Sequence, residues 1–283
     1  MTHVHLLAGQ SNMEGQAVVD LSGRDYNEGR GTLVDILRNP ENRRFGRLWN
    51  GTSVPIRPNV VVRYRPEGGP WRLGPLGAGF TPYGDPHHFG PELAYGHVVA
   101  DHHRAPVVLV KCAWGGKSLF RDFRPPSAGG PVGRYYARMV DDFRESIAAI
   151  KGPVVVEGFV WYHGWNDGID PVRSVPEYRS NLLALVRDLR ADLGIPGLPA
   201  VIGEITGPWR DAPPEWERLR LSQRSAAEDP SAQPAVFVPT RDYVRRPEDS
   251  PNPGHGHHEF GNAETILRVG EALGKAAVRL ARR

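Results

Sequence analysis

The sequence contains a single cysteine, Cys112, so it excludes an intramolecular disulfide framework and leaves the redox compartment open. It also lacks any run of about 18 consecutive apolar residues, which excludes a membrane-spanning helix. No charged segment followed by an apolar run opens the chain, because the first predicted strand begins at His3. We therefore expect a cytoplasmic protein as the sequence is written, or a secreted or periplasmic one if a signal peptide has been removed.

An excess of charge of one sign is missing as well. The 35 Lys and Arg residues nearly balance the 32 Asp and Glu residues, which leaves a formal net charge of +3. The basic residues occur as separate pairs rather than as a stripe: Arg43-Arg44, Arg245-Arg246 and Arg282-Arg283. We therefore expect neither a nucleic-acid partner nor a membrane partner.

Glycine and proline are abundant, with 33 and 27 residues, and they indicate long shaped loops rather than a helical bundle. The hydrophobic content of 40% is enough for a full core. No internal repeat and no low-complexity linker interrupts the chain, so residues 1–283 are expected to form one domain.

Apolar runs alternate with amphipathic segments, a pattern typical of a parallel sheet covered on both faces. Strands are predicted at residues 4–8, 60–63, 107–112, 154–162, 200–204 and 235–238, and helices at 91–103, 177–193 and from 263 onward. This predicts the α/β class, as a three-layer α/β/α sandwich with a mostly parallel, flavodoxin-like sheet of five to six strands. Ligands of such sheets bind at the carboxyl ends of the strands.

Polar segments follow the strands at this edge. Directly after the first strand comes Gly-Gln-Ser-Asn-Met-Glu-Gly, in which Ser11 stands in a glycine-flanked turn with free backbone N–H groups behind it. A serine after a strand is also a common helix N-cap, and spacing alone leaves both interpretations open. After the third strand, Gly115 and Gly116 form a turn that lets the backbone approach a bound group, although a plain turn has the same sequence.

Two further segments complete the set. The fourth strand leads into Tyr-His-Gly-Trp-Asn-Asp-Gly, where the Asn166 amide is able to donate a hydrogen bond to an oxyanion. The last predicted helix is preceded by Gly-His-Gly-His-His-Glu-Phe-Gly, which can bring a histidine base to the serine. Each segment alone is also ordinary turn chemistry.

Taken in order, these segments resemble the four sequence blocks of the SGNH hydrolases. The form Gly-Gln-Ser-Asn-Met resembles the branch of sialate O-acetylesterases and plant-type carbohydrate acetylesterases. The resemblance spans residues 6–275, with unrelated loops between the blocks. It implies a serine esterase that removes small acyl groups, acetyl above all, from a carbohydrate without a cofactor.

The resemblance also implies roles by position. Ser11 would be the nucleophile, and its own N–H, the Gly116 N–H and the Asn166 side chain would form the oxyanion hole. The base would be His258, because it stands three residues before Gly261, as the histidine of the family does. The residues expected to contact substrate are Gln10, His163 and Trp165.

The sequence departs from the family in two places. The family has an aspartate three residues before its histidine, but here that position is His255, so the acid that orients the base is unassigned. The candidates are Glu204, Asp242, Glu248 and Asp249, and a Ser-His dyad held by a backbone carbonyl is an alternative. The other departure is His163 with Trp165, where many relatives have Gln and Glu, which suggests a different sugar subsite.

Histidines occur in groups at residues 87–88, 102–103 and 255–258, but their spacing matches no known zinc pattern. We therefore expect no catalytic metal. Two other functions remain open: a general small-ester or lipid-type esterase, and a carbohydrate-binding relative that has lost catalysis.

Overall fold

The computed structural model describes residues 1–208 and 212–281, and the basic pair Arg282-Arg283 lies outside the described residues. Its strands are β1 (Thr2–Gly9), β2 (Ala17–Val18), β3 (Arg57–Tyr64), β4 (Arg72–Leu76), β5 (His88–Phe89), β6 (Val107–Ala113), β7 (Val154–Tyr162), β8 (Ala200–Gly203) and β9 (Ala235–Val238). Its α-helices are α1 (Ser11–Glu14), α2 (Leu33–Ile36), α3 (Glu92–His103), α4 (Arg134–Ala148), α5 (Trp165–Gly168), α6 (Ser174–Leu193), α7 (Pro214–Ala227) and α8 (Ala263–Ala281).

The central sheet has seven strands in the order β4-β3-β6-β1-β7-β8-β9, and β2 pairs with β5 in a small separate sheet. Six strands of the central sheet are parallel and correspond to the six predicted strands. The seventh, β4, pairs antiparallel with β3 at the edge. It was not predicted because Gly74 and Pro75 are unfavourable inside a strand, although an edge position tolerates proline.

The order of the parallel strands differs from that of flavodoxin because the first and third strands have exchanged positions. Numbered along the chain, the parallel strands here run 2-3-1-4-5-6, whereas flavodoxin has 2-1-3-4-5. Strand β1 is therefore flanked by β6 on one side and by β7 on the other. The segments that follow these three strands are neighbours at the carboxyl edge.

Two apolar cores lie on opposite faces of the sheet, which confirms the predicted three-layer α/β/α sandwich. Helices α3 and α8 pack against each other over one face, and α4, α6 and α7 cover the other. Strand β1 serves both cores, since Leu7 faces the first while Leu6 and Ala8 face the second. None of the helices in the described ranges is long and apolar enough to cross a bilayer.

The predicted helices are confirmed, and the apolar stripe of α8 is buried as expected, with Ile266, Val269 and Leu273 fully inside. Helix α7 was not among the predicted elements. Its buried face includes Arg220 and Gln223 beside apolar residues, so its apolar periodicity in the sequence is weak.

Candidate active site

Ser11 lies at the carboxyl end of β1, as the first residue of the single-turn helix α1. The last residue of β1, Gly9, lies very close to β7, because a Cβ at this position would be 2.1 Å from the Tyr162 carbonyl oxygen. Only glycine fits there. The Ser11 side chain is 7% exposed, so its hydroxyl is held in a tight turn with a small opening to solvent.

The glycine turn after β6 is hydrogen-bonded to the serine turn through Glu14. One oxygen of this carboxylate, Oε2, accepts a hydrogen bond from the Gly115 N–H at 2.9 Å, and the other accepts one from the Tyr64 hydroxyl at 2.5 Å. A Cβ on Gly115 would lie 3.6 Å from the Ser11 Cβ. The next residue, Gly116, has φ +72°, a left-handed conformation that favours glycine.

Gln10 joins the serine turn to the turn after β7. Its Oε1 accepts hydrogen bonds from the N–H groups of Gly164 at 3.2 Å and Asn166 at 3.4 Å. Its Nε2 donates to the Asn166 Oδ1 at 3.4 Å. The Asn166 oxygen is therefore occupied, and its Nδ2 is the group left to donate to a ligand. Gln10 itself is 1% exposed, so it stabilises this turn from the protein interior.

His163 is fully buried and supports the glycine turn through a hydrogen bond to the residue that follows it. Its Nε2 is 2.9 Å from the Lys117 carbonyl oxygen, and its ring stacks on Trp161 at 4.4 Å between centroids. Burial lowers the pKa of His163 to about 3, so the ring is neutral and donates from Nε2. Asp167 adds to this support by accepting the backbone N–H groups of residues 119–120, both at 2.9 Å.

The histidine loop lies across the same edge. Residues Gly256–Gly261 form 3₁₀ turns that are in contact with helix α1. Within this loop His258 is half-buried, whereas His255 and His257 are exposed. The His257 ring is 5.9 Å from the ring of Trp165, which brings the loop next to the Asn166 turn. All four predicted segments thus meet at one edge of the sheet.

A cavity of about 350 Å³ opens beside two of the three predicted oxyanion donors, Gly116 and Asn166. Its lining is mostly polar: Gly116, Ser118, Phe120, Arg121, Asp122, Asn166, Ile169, Asp170, Arg173 and Ser174. Neither Ser11 nor His258 is among these lining residues, so the cavity lies beside the predicted donors Gly116 and Asn166.

A family model described as "Carbohydrate esterase, sialic acid-specific acetylesterase" matches residues 1–263. The chain belongs to this family. The match includes all four segments, from the serine turn to the histidine loop, and the family is one of carboxylic ester hydrolases. The resemblance inferred from the sequence is confirmed.

A curated relative named a probable carbohydrate esterase, from Arabidopsis thaliana, is 30% identical to this chain over 115 residues. That alignment covers 40% of this chain and 40% of the relative, so it spans less than half of the relative's length.

Solved structures share the fold of this family member over nearly its whole length. An X-ray structure of an Arabidopsis thaliana protein superposes with a TM-score of 0.65 at 18% identity, over 98% of both chains. The structure of NanS has a TM-score of 0.64 at 15% identity and covers 99% of this chain and 98% of NanS. A carbohydrate acetylesterase from Xanthomonas citri has a TM-score of 0.57 at 16% identity, over 99% of this chain and 55% of its own.

Within residues 1–208 and 212–281, none of the predicted acid candidates is hydrogen-bonded to His258. The Glu204 Oε2 accepts the N–H groups of Thr240 at 3.0 Å and Arg241 at 3.1 Å, so this carboxylate shapes the loop after β9. The other candidates, Asp242, Glu248 and Asp249, are exposed on short 3₁₀ turns.

Burial, followed by the charges of His257 and His255, lowers the pKa of His258 to about 3. In residues 1–208 and 212–281, no carboxylate is among the groups that shift this pKa. The imidazole is therefore neutral at pH 7 and is a weak base.

Sequence reasoning missed Glu259, the residue that anchors the histidine loop. Its Oε1 accepts hydrogen bonds from the Tyr162 hydroxyl at 2.7 Å and from the Thr206 hydroxyl. Burial raises the pKa of this carboxyl to about 7, although both hydrogen bonds act in the opposite direction. The backbone of Glu259 is left-handed, with a φ of +46°. In the sequence, the available signal was an acidic residue between His258 and Phe260.

Sequence reasoning also missed Lys111, which supports the serine turn. Its Nζ donates to the Glu92 carboxylate at 2.7 Å and to two carbonyl oxygens, those of Glu14 at 2.7 Å and Phe80 at 2.6 Å. The side chains of Lys111 and Glu92 are both 0% exposed. A lysine inside the apolar run of β6 was the available signal, since such a residue is rarely buried without a partner.

We predict that Glu92→Gln destabilises the protein by about 3–5 kcal/mol, because it leaves the Lys111 charge buried without its counter-charge. Urea denaturation followed by circular dichroism measures the difference. The matched control is Lys275→Ala, which removes an exposed ion pair with Glu271 and should cost less than about 0.5 kcal/mol. Equal effects of the two substitutions would contradict a supporting role for the buried pair.

Proposed function

We propose that this chain hydrolyses small acyl esters of a carbohydrate, acetyl esters above all, with Ser11 as the nucleophile and His258 as the base. The observation that carries the proposal is the contact of helix α1 with Gly256–Gly261, together with the bonds from Gln10 to the Asn166 turn. These contacts support the proposal, because they join the segments that carry Ser11, Asn166 and His258 at one edge of the sheet. Membership of a carbohydrate esterase family supports the same reaction.

The reaction would proceed by two acyl transfers. His258 accepts the Ser11 proton while the oxygen attacks the ester carbonyl, and the protonated imidazole then gives this proton to the departing sugar oxygen. Water, deprotonated by His258, attacks the acyl-enzyme and releases the acid together with free Ser11. The Ser11 N–H, the Gly116 N–H and the Asn166 Nδ2 would stabilise the oxyanion, at about 3 kcal/mol for each donor.

We further propose that the base works as part of a Ser-His dyad. An orienting carboxylate would raise the pKa of the imidazole, whereas burial and neighbouring histidines lower the pKa of His258. The carboxylate of Glu204 is engaged by backbone amides. The ring would then be positioned by packing and by the loop that Glu259 anchors.

The cavity favours a sugar over a long acyl chain. Its walls carry charged side chains, among them Arg121, Asp122, Asp170 and Arg173, with Phe120 and Ile169 as apolar patches. Such a surface suits hydroxyl groups, and long-chain lipids would need a broad apolar wall. A chain-length series of nitrophenyl esters separates the two classes, since a general lipid-type esterase would prefer octanoate to acetate.

We expect Ser11→Ala to lower kcat on nitrophenyl acetate by several orders of magnitude, since loss of a nucleophile has this effect in other serine hydrolases. The matched control is Ser222→Ala on helix α7, a partly exposed serine whose hydroxyl donates to the Arg218 carbonyl oxygen, and it should leave kcat unchanged. A Ser11→Ala enzyme that keeps more than about a tenth of wild-type kcat would exclude Ser11 as nucleophile.

The same pair of proteins tests the non-catalytic alternative. An organophosphonate should label the wild type at Ser11 and leave the alanine variant unlabelled. Failure to label the wild type would instead support a carbohydrate-binding relative without catalysis.

His258→Ala should be nearly inactive, whereas His255→Ala and His257→Ala should lose less activity. The physical reason is burial, because His258 is half-buried in the loop that contacts helix α1, while the other two histidines are exposed. Steady-state kinetics on nitrophenyl acetate compares the three variants. If His255→Ala were as damaging as His258→Ala, His255 would be the base or would take the place of the missing aspartate.

The low pKa of His258 predicts how activity depends on pH. The base must be neutral, so a pKa of about 3 keeps it active as the pH falls well below 6.5. We expect kcat/KM at pH 5 to stay within about twofold of its value at pH 7. A histidine with the ordinary pKa of about 6.5 would lose roughly 25-fold over this range, and such a loss in a still-folded enzyme would contradict the dyad.

A further inference from the structure

A second group of functional side chains lies at the amino-terminal edge of the sheet. His3 on β1, His103 at the end of α3 and Glu157 on β7 each offer a ligand atom, and these atoms all lie within 4.8 Å of one another. Ser11 lies at the opposite end of β1, roughly 20 Å away at the rise of a β-strand. The proposed hydrolysis uses none of these residues.

The backbone of β7 is irregular at this group. In the pairing of β1 with β7, Val4 is opposite Val156 and His5 is opposite Gly158, so Glu157 is the extra residue of a β-bulge. Bulges commonly direct a side chain out of the regular ladder towards a functional site. Here the Glu157 carboxylate is 2.5 Å from the His3 Nδ1.

A third histidine lies against the same group. His5 follows His3 on the same face of β1, and its ring is 5.6 Å from that of His103. Its Nδ1 is 2.8 Å from the Tyr95 hydroxyl, but its buried Nε2 has no hydrogen-bond partner among the described residues. A buried polar nitrogen without a partner is costly, so this atom indicates that the group can accept a ligand.

We propose that His3, His103 and Glu157 bind a divalent transition-metal ion, for which Zn²⁺ is the best fit, in a site that joins β1, α3 and β7. Two imidazole nitrogens and one carboxylate oxygen are a ligand set that Zn²⁺ prefers. A water molecule would supply the fourth ligand. The role is structural, since the site is remote from Ser11.

The geometry requires a modest rearrangement of side chains. The His3 and His103 rings are stacked at 3.9 Å between centroids, and ligand atoms of a tetrahedral zinc ion lie about 3.3 Å apart. Rotation of these half-buried rings would reduce the separations of the ligand atoms, which now lie within 4.8 Å of one another, to this spacing. The spacing in the sequence gives no sign of such a site, because the ligands come from three distant elements.

The test uses the full-length protein after treatment with EDTA. Isothermal titration with ZnCl₂ should show one ion per chain with a micromolar or lower Kd, and saturating Zn²⁺ should raise Tm by roughly 5 °C. His103→Gln and Glu157→Gln should each weaken Zn²⁺ binding at least tenfold, and both should remove most of the Tm rise. Co²⁺ should give a tetrahedral visible spectrum in the wild type that both variants lose.

His255→Gln is the matched control, because the exposed histidine loop is the competing place for Zn²⁺ to bind. It should keep both the affinity and the Tm rise of the wild type. Circular dichroism without metal checks that each variant is folded. If one of the two ligand variants is unfolded, His3→Gln is used in its place. Absence of binding below millimolar Zn²⁺, or equal binding by wild type, His103→Gln and Glu157→Gln, would overturn the proposal.

Discussion

The buried ion pair between Lys111 and Glu92 is the interaction on which the site depends. Placing a lysine charge at 0% exposure is costly, and burial lowers the pKa of Lys111 while Glu92 raises it. The cost is offset because all three N–H donors of the ammonium group have acceptors: the Glu92 carboxylate and the carbonyl oxygens of Glu14 and Phe80. The Lys111 side chain thereby links the serine turn to β6 and α3 through hydrogen bonds.

A continuous polar network extends from this pair into the predicted oxyanion hole. The Glu14 backbone is held by Lys111, and its carboxylate holds the Gly115 N–H and the Tyr64 hydroxyl. On the other side, Gln10 and His163 fasten the turns that carry Asn166 and the glycines. Because the side chains of Glu14, Gln10 and His163 are buried and hydrogen-bonded, the turns that carry the predicted donors are held in place without a ligand.

The histidine side of the site is built differently. Its loop is anchored through Glu259, whose carboxyl bonds to Tyr162 and Thr206, while His258 has only other histidines among the charged groups that act on it within the described ranges. The serine side of the site is thus densely hydrogen-bonded, whereas the His258 side chain makes no hydrogen bond within residues 1–208 and 212–281. Burial lowers the pKa of His258 and raises the pKa values of the Glu259 and Glu14 carboxyls, because it disfavours the charged form of each group.

The sequence by itself determined the six parallel strands, because their apolar runs reflect burial on both faces, and the family, because four short blocks follow those strands in order. Tertiary structure alone decided the strand order, the edge strand β4 and the roles of Lys111, Glu259 and His163. The bond from Lys111 to Glu14 joins residues 97 positions apart, and the bond from Tyr162 to Glu259 joins another pair 97 apart. A lysine in an apolar run signals that a partner exists, but no local pattern names the partner, since it depends on which strand ends the fold makes neighbours.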